Sequence, residues 1–211
     1  MSTAFDADCR QCKRLADFLD QVALEYPDYF ARPVPAFGDP EARLLVVGLA
    51  PGMHGANATG RPFTGDHAGI LLYQTLFQHG FASAPESVSA DDGLSLIDCR
   101  ITNAVKCLPP QNKPLGSEVN NCRGFLEQEM LAMPKGGVIL ALGSIAHRSV
   151  VAGFSLKQKD LPFAHAAEHS LPGKRVLLDS YHCSRYNTQT RRLTPEMFDA
   201  VFQRARALIG S

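Results

Sequence analysis

The sequence has no excess of either charge and no long apolar run. Its 211 residues carry 21 basic and 21 acidic side chains, so the formal net charge is zero. A protein that binds nucleic acid mainly by neutralising phosphates is usually more basic, although segregated charge still allows such a partner. No stretch approaches the roughly 18 apolar residues of a membrane-spanning helix, and the N-terminal segment MSTAFDADCR lacks the apolar core of a secretory signal. These features predict a cytoplasmic protein that does not bind membranes.

Internal repeats, low-complexity tracts and an obvious linker are also missing from the sequence. Together with an ordinary hydrophobic fraction of 45%, this predicts a single domain over residues 1–211 with enough apolar material for a core. Neither phosphate-binding pattern, G-x-x-x-x-G-K-[ST] or G-x-G-x-x-G, occurs. A nucleotide-phosphate enzyme of either type is therefore not favoured.

Four apolar runs predict strands, and the segments between them have helical spacing. The strands are expected at Leu44–Gly48, in LIDCRITNAVKC ending near 103–105, in GGVILALG and in RVLLDSYH. Helices are expected over 12–25, 69–78, from about Ser117, over 144–152 and over 194–209, with Ser117 and Thr194 as N-caps. This alternation predicts a three-layer α/β/α fold around a mostly parallel four-stranded sheet.

A glycine-rich polar stretch, GLAPGMHGANATGRPFTGDHAG at 48–69, follows the first predicted strand. Ligands of open α/β sheets bind outside the carboxyl ends of the strands. The loops at 103–116, after Gly143 and at 181–192 should reach the same edge, so one shared cleft is predicted. So many glycines suggest that something approaches the backbone closely there.

The six cysteines raise the question of a metal site. Cys9 and Cys12 form C-x-x-C, whereas Cys107 and Cys122 are widely spaced. Structural disulfides are not expected in a cytoplasmic protein, so these four cysteines favour a metal ion or cluster. Their spacing does not separate zinc from a four-iron cluster, and buried free thiols are the alternative. Cys99, inside the second strand, is expected to be a core residue.

Four segments together resemble the uracil-DNA glycosylase superfamily, and within it the type B enzymes of family 5. These are the 48–69 loop, ITNAVKCLPP, the four spaced cysteines and YHCSRYNTQTRRLTP. The family patterns G-L-A-P, H-G-x-N-x-T-G-R-x-F-T-G-D and H-x-S-x-x-N-T-x-T-x-R-L-T match residues 48–51, 54–66 and 182–194. The resemblance runs from Cys9 to about Thr194. One departure is Arg191, where the family pattern has glycine.

The resemblance implies a monofunctional DNA glycosylase of base excision repair. Such an enzyme hydrolyses the N-glycosidic bond of uracil in DNA, and often of hypoxanthine, xanthine or ethenocytosine. Its partner would be DNA containing deaminated bases, and a monomer is expected. The resemblance also implies a structural 4Fe-4S cluster, with zinc as the alternative, held through an N-terminal segment by Cys9, Cys12, Cys107 and Cys122.

The implied catalytic residues are Asp66, Asn103 and His182. A flipped base needs a reader of its Watson–Crick edge, for which the Asn103 amide is suited. His182, as a neutral donor or a cation, could stabilise the charge of the departing base. Asp66 could orient water or offset the sugar cation, because the first strand is followed by Ala-Pro-Gly without an acid; its alternative role is a helix N-cap. For Asn103 and His182 the alternatives are structural.

The same stretches supply the predicted substrate-binding residues. Phe63 is expected to stack on the base, or else to anchor the loop in the core. The full predicted set is Gly48, Ala50, Gly52, His54, Asn57, Phe63, Asn103, Ser184 and Asn187. The competing function is a catalytically weak iron–sulfur protein that binds DNA or senses damage. A branch that links covalently to DNA through histidine would carry a basic insert, which this sequence lacks.

Overall fold

The computed structural model describes residues 5–210, and its centre is a mixed sheet. The strands described are β1 (Phe37–Gly38), β2 (Leu44–Gly48), β3 (Cys99–Asn103), β4 (Val138–Leu142), β5 (Glu168–Leu171) and β6 (Arg175–Ser180). Their order is β1-β3-β2-β4-β6-β5. The inner four run parallel, and β1 and β5 pair antiparallel at the two edges. The α/β prediction is confirmed, but the sheet has six strands instead of the predicted four.

The two additional strands are short and lie at the sheet edges. β1 has only two residues and lies among prolines, so its sequence is typical of a loop. β5 reads EHSL and is buried only at Leu171. Edge strands are solvated on one side and need no apolar run, which is why hydrophobic patterning detects the inner strands and not these.

Helices cover both faces of the sheet. The structure has α1 (Lys13–Glu25), α2 (Ala56–Thr59), α3 (His67–Gln78), α4 (Gly116–Ala132), α5 (Ser144–Gly153), α6 (Arg185–Gln189) and α7 (Pro195–Gly210). Along β2, Leu44 and Val46 pack with α3 and α7, whereas Leu45 and Val47 pack with α4 and α5. This gives the three predicted layers. No helix in residues 5–210 is long and apolar enough to cross a membrane.

The helix starts follow local capping chemistry. Thr194 caps α7 as predicted, because its Oγ1 accepts the Met197 N–H at 3.2 Å. The predicted Ser117 cap of α4 is wrong: the residue preceding this helix is Leu115, whose N–H donates to Glu118 Oε2 at 2.7 Å. Glu118 also pairs with Arg14 at 2.7 Å. The acid thereby ties the start of α4 to α1.

The parallel inner strands bring three functional segments to one edge. Gly48 at the end of β2 is in register with Asn103 at the end of β3. Beyond these ends, the Ala104 and Val105 N–H groups donate to the Gly48 and Leu49 carbonyl oxygens at 2.9 and 3.0 Å. His182 follows two residues after β6. The predicted cleft therefore lies at the carboxyl ends of the parallel strands β2, β3 and β6.

Candidate active site

A cavity of about 330 Å³ lies at this edge of the sheet. It falls within the size range of small-molecule pockets. The side chains of Phe63, Asp66, Asn103 and His182 line it, and so do residues of the predicted substrate-binding set, namely Ala50, Gly52 and Ser184. All three predicted catalytic residues thus face one space, although they are separated by up to 116 positions in the chain (182 − 66).

Phe63 forms one wall of the cavity and lies in an unusual backbone conformation. Its φ is +54°, a left-handed value that is uncommon for a residue with a side chain. The ring is 6% exposed and lies 5.8 Å from the His182 ring, at 29° to it. A flat apolar face next to an imidazole offers a base a surface on which to stack.

Buried polar contacts hold the loop that carries Phe63. The Arg61 guanidinium pairs with Asp92 at 2.6 Å, donates to Ser87 Oγ at 3.0 Å and lies 4.4 Å from the Phe37 ring centroid. Burial of Asp92 opposes its ionisation, but Arg61 and backbone N–H groups outweigh this and lower its pKa. Tyr73 Oη donates to the Pro62 carbonyl at 2.8 Å. These contacts stabilise the strained Phe63 backbone from behind.

Asn103 places an amide at the floor of the cavity. The residue is 4% exposed, and its Oδ1 is buried without a hydrogen-bond partner among the described residues. A buried acceptor without a partner costs free energy. A ligand with an N–H group at this position would satisfy it.

Asp66 serves two purposes at once. It is the N-cap of α3, since its Oδ1 accepts the Gly69 N–H at 2.8 Å, and its side chain lines the cavity. Burial raises the pKa of Asp66, although the N–H groups of Gly69 and Ala68 oppose this. The predicted N-cap is confirmed, and it does not remove the carboxylate from the cavity.

His182 faces the cavity as a neutral ring. Its Nδ1 is buried and has no hydrogen-bond partner within residues 5–210. Burial lowers the pKa of His182 to about 4. At neutral pH the ring therefore carries one proton and can donate one hydrogen bond without bringing a charge.

The neutral state of His182 predicts a pH dependence of stability. In the unfolded chain the His182 ring has a pKa near 6.5, whereas in the folded protein its pKa is about 4. Between these values the unfolded state binds more protons, so the free energy of unfolding decreases as pH falls. In His182→Gln, we expect the free energy of unfolding to fall by about 1–2 kcal/mol less over this pH range than in the wild type. Urea denaturation at several pH values measures this. An equal fall in both proteins would contradict the explanation.

Three predicted substrate-binding residues have other surroundings. The exposed His54 accepts or donates a hydrogen bond to Tyr29 Oη at 2.8 Å and does not line the cavity. Asn187 Nδ2 donates to the His182 carbonyl at 2.8 Å and so holds the backbone of His182. Asn57 is fully buried, and neither polar atom of its side chain has a partner in the described part of the chain.

Several cavity residues were not predicted from the sequence. Leu49, Ala56 and Ala68 contribute apolar surface, and Asn112 contributes an amide. Asn112 lies in a short 3-10 turn, and both it and Gln111 have φ of +56°. Asparagine tolerates this left-handed region better than most residues. An Asn in the proline-rich loop CLPPQNKP was the available signal.

Contacts within the protein account for three glycines of the loop. A Cβ on Gly48 would lie 2.6 Å from the Phe63 ring, and one on Gly55 would lie 2.7 Å from Asp66. A Cβ on Gly69 would overlap the Phe63 carbonyl oxygen. Gly52 alone of these four has ordinary clearance, 3.6 Å from Asp66 Oδ2. At Gly48 and Gly55 side chains of the cavity lie against the bare backbone, and at Gly69 the Phe63 backbone does so.

Segment 182–192 forms the exposed rim beside the cavity. Ser184 caps α6 with its Oγ, and the exposed Arg185 and Arg191 project from this region. Arg191 has φ of +57°, at the position where the family pattern has glycine. Arg192 lies 4.7 Å from the Tyr181 ring centroid. This chain therefore has an arginine at a position whose backbone conformation glycine would adopt without strain.

We expect Arg191→Gly to raise stability and weaken DNA binding. Relief of the left-handed strain outweighs the extra freedom of glycine in the unfolded chain, giving about 0.5–1 kcal/mol in the free energy of unfolding. Loss of a phosphate contact would reduce the slope of log affinity against log salt by about 1. Urea denaturation and salt-dependent binding measure the two effects. Arg191→Lys keeps both charge and strain, and a change of stability in this control would argue against the explanation.

The four spaced cysteines lie near one another in the fold. Cys107 and Cys122 are buried, and Cys9 and Cys12 are partly exposed. Burial, followed by the proximity of Cys122, Cys9 and Cys12, raises the pKa of Cys107 to about 12. Asn121 Nδ2 donates to Cys12 Sγ at 3.3 Å.

Comparison with known proteins places these features in a family. The sequence model described as "Uracil DNA glycosylase superfamily" matches residues 35–206. The chain is 49% identical to the type-5 uracil-DNA glycosylase of Thermus thermophilus, over 96% of this chain and 94% of that protein. It is 42% identical to the type-5 uracil-DNA glycosylase of Pyrobaculum aerophilum, over 96% of this chain and 90% of that protein. A type-4 uracil-DNA glycosylase of Archaeoglobus fulgidus is 30% identical, over 84% of this chain and 82% of that protein. The chain belongs to the uracil-DNA glycosylase superfamily and, within it, to the type-5 group.

Proposed function

We propose that this protein excises uracil, and also hypoxanthine, xanthine and ethenocytosine, from DNA as a monofunctional glycosylase of base excision repair. The observation that carries the proposal is the convergence of Phe63, Asp66, Asn103 and His182 on one cavity. A base stacked in DNA cannot reach such a cavity, so it must first be flipped out. We propose that it acts as a monomer.

The cavity explains how uracil would be recognised. The unpartnered Asn103 Oδ1 is an acceptor, and the edge of uracil presents an N–H donor between two carbonyl groups. Cytosine presents an acceptor at the same ring position and would leave Asn103 unsatisfied. Phe63 would stack on the base. Discrimination between uracil and cytosine then rests on one buried hydrogen bond. Such sites discriminate strongly, because the wrong base leaves a buried polar group unpaired.

Hydrolysis would draw on two further side chains. As the glycosidic bond breaks, negative charge develops on the base and positive charge on the sugar. The neutral His182 ring would donate to a base carbonyl and stabilise the anion. The Asp66 carboxylate, held by the first turn of α3, would orient the attacking water or offset the sugar cation. Its raised pKa requires a higher pH for ionisation than an ordinary aspartate does.

Labelled DNA duplexes that each carry one modified base test this function. Strand breaks at the modified position after alkali treatment are expected for uracil, and the other three bases are ranked in the same assay. Undamaged duplex is the control. If no base is released by protein that retains its metal, the competing function of an iron–sulfur protein that binds DNA or senses damage replaces this one.

We also propose that Cys9, Cys12, Cys107 and Cys122 hold a structural 4Fe-4S cluster. Cys107 is buried and interacts with Cys122, Cys9 and Cys12, so the four thiols lie together. Four thiolates suit an iron–sulfur cluster, and the resemblance to family 5 favours the cluster over a single zinc ion. Cys107 lies only four residues beyond Asn103, so the cluster would also hold the segment that carries the base reader. Six free thiols suit the reducing cytoplasm.

We expect Cys107→Ser to lose the iron and to destabilise the fold by several degrees in Tm, since metal binding to the native state adds directly to stability. Iron and acid-labile sulfide analysis with thermal unfolding measures this. Cys99→Ala is the matched control, because Cys99 is buried in β3 away from the other four. Colourless protein that contains zinc and no iron would overturn the cluster assignment.

A further inference from the structure

Three side chains outside the active site converge between β5, β6 and α5. They are His147 of α5, His169 of β5 and Asp179 of β6. Their potential ligand atoms all lie within 4.8 Å of one another. Asp179 is completely buried, His147 is 1% exposed, and the His169 side chain is 12% exposed. No part of the excision chemistry uses them.

Hydrogen bonding fixes the proton on His147. Its Nε2 lies 2.8 Å from the Leu161 carbonyl oxygen, which can only accept, so Nε2 carries a hydrogen. The other nitrogen, Nδ1, lies 2.8 Å from Asp179 Oδ1. In a neutral imidazole this nitrogen has a lone pair, and so does the carboxylate oxygen. Two lone pairs at this distance repel each other, so either a proton or a metal ion must lie between them.

A proton on Nδ1 would satisfy only part of the cluster. Asp179 Oδ2 and His169 Nε2 lie 3.5 Å apart, and both atoms are buried without a hydrogen-bond partner among the residues described. Protonation of His147 does not change this contact, and even a hydrogen on His169 Nε2 leaves it too long for a good hydrogen bond. Buried polar atoms are rarely left so poorly paired. A metal ion would be bound by all three side chains at once.

We propose that His147 Nδ1, His169 Nε2 and Asp179 bind a divalent transition-metal ion of the zinc type. Tetrahedral zinc with bonds of about 2.0–2.2 Å to nitrogen and oxygen separates its ligand atoms by about 3.3–3.5 Å. The 3.5 Å separation of His169 Nε2 and Asp179 Oδ2 matches this value, whereas His147 Nδ1 and Asp179 Oδ1, at 2.8 Å, would have to move apart on binding. Imidazole and carboxylate ligands suit zinc. The bond from His147 Nε2–H to a backbone carbonyl is also the usual outer contact of a metal-binding histidine.

The ion would have a structural role at the edge of the sheet. It would fasten the edge strand β5 and helix α5 to β6, and β6 leads directly to His182. The surrounding rings form a continuous cluster: Phe163 packs on His147 at 5.6 Å and on Tyr181 at 6.2 Å. Tyr181 precedes His182 in the chain. This site differs from the four-cysteine site in its ligands, which are nitrogen and oxygen instead of sulfur.

Metal analysis of the purified full-length protein, expressed with added zinc, tests the proposal. About one zinc per chain is expected in addition to iron. Zinc-edge X-ray absorption should show nitrogen or oxygen ligands at about 2.0–2.1 Å and no sulfur shell at about 2.3 Å. His169→Gln should lower the zinc content roughly tenfold or more. A chelator should lower the Tm of the wild type by roughly 5 °C and leave that of the variant unchanged.

His165→Gln is the matched control, because His165 lies beside the cluster, stacked on Tyr181 at 5.0 Å, without belonging to it. It should retain the zinc. Zinc well below one per chain in the wild type, equal zinc in His169→Gln, or a zinc edge with sulfur ligands alone would each overturn the proposal. Should His169→Gln fail to fold, the X-ray absorption of the wild type decides by itself.

Discussion

Replacing His182 by alanine is expected to lower the single-turnover rate of uracil excision by about 10²–10³-fold, the usual effect of removing one donor to a developing anion. Burial lowers the pKa of this histidine to about 4, so it would act as a neutral donor at physiological pH. The interaction strengthens as charge develops on the base and is weak in the ground state. The loss should therefore appear in the rate, with little change in DNA affinity.

Rapid-quench measurements with excess enzyme separate the rate from binding and product release. His182→Gln retains an N–H donor and should recover part of the lost rate. His79→Ala is the control: His79 ends α3 and pairs with Asp199 at 2.7 Å, outside the cavity lining. A His182→Ala variant within threefold of the wild-type rate would show that the anion is stabilised by other groups.

The neutral histidine also determines the shape of the rate profile. If His182 acted as a cation with an ordinary pKa, excision would accelerate as pH falls through 6.5. With the lowered pKa, no such acceleration is expected, and Asp66 alone should shape the acid side. Burial raises the pKa of Asp66, so the rate should decline at a higher pH than an ordinary aspartate would give.

The inner part of the fold follows from local sequence, whereas the edges do not. Leu44–Gly48 is buried throughout, and a run of apolar residues predicts such a strand without knowledge of its neighbours. Phe37–Gly38 pairs with β3 only because β3 already offers an open edge. Its pairing is a property of the assembled sheet, and two residues carry no periodic signal.

The site shows the same division between local and tertiary causes. Asn103 and His182 follow predicted strands, so their meeting at one edge can be inferred from parallel topology. His54 belongs to the same motif as Asp66, yet it faces Tyr29, because the direction of a loop side chain depends on its packing partners. His147 and His169, of the proposed zinc site, form no sequence motif. They meet only because β5 folds back antiparallel onto β6.

Gly48→Ala is expected to lower excision by at least about 10²-fold while costing about 1–3 kcal/mol of stability. Its Cβ would lie 2.6 Å from Phe63 Cζ and closer still to Asn103 Oδ1, so the side chains proposed to stack on the base and to read its edge must both move. Overpacking of this kind costs such amounts of stability. A displacement of about 1 Å in positioning groups costs a rate factor of this size.

Gly52→Ala separates this cause from a loss of room for the nucleotide. Its Cβ would meet only Asp66 Oδ2, at 3.6 Å, so Phe63 and Asn103 should keep their positions. Gly116→Ala, where a Cβ meets nothing within 4 Å, controls for the substitution itself. If glycine at 48 serves the protein's own packing, Gly48→Ala loses both stability and the preference for uracil over cytosine, whereas Gly52→Ala keeps them. Equal losses of rate at the two positions, with full stability in both, would instead mean that the substrate lies against the bare backbone of the whole loop.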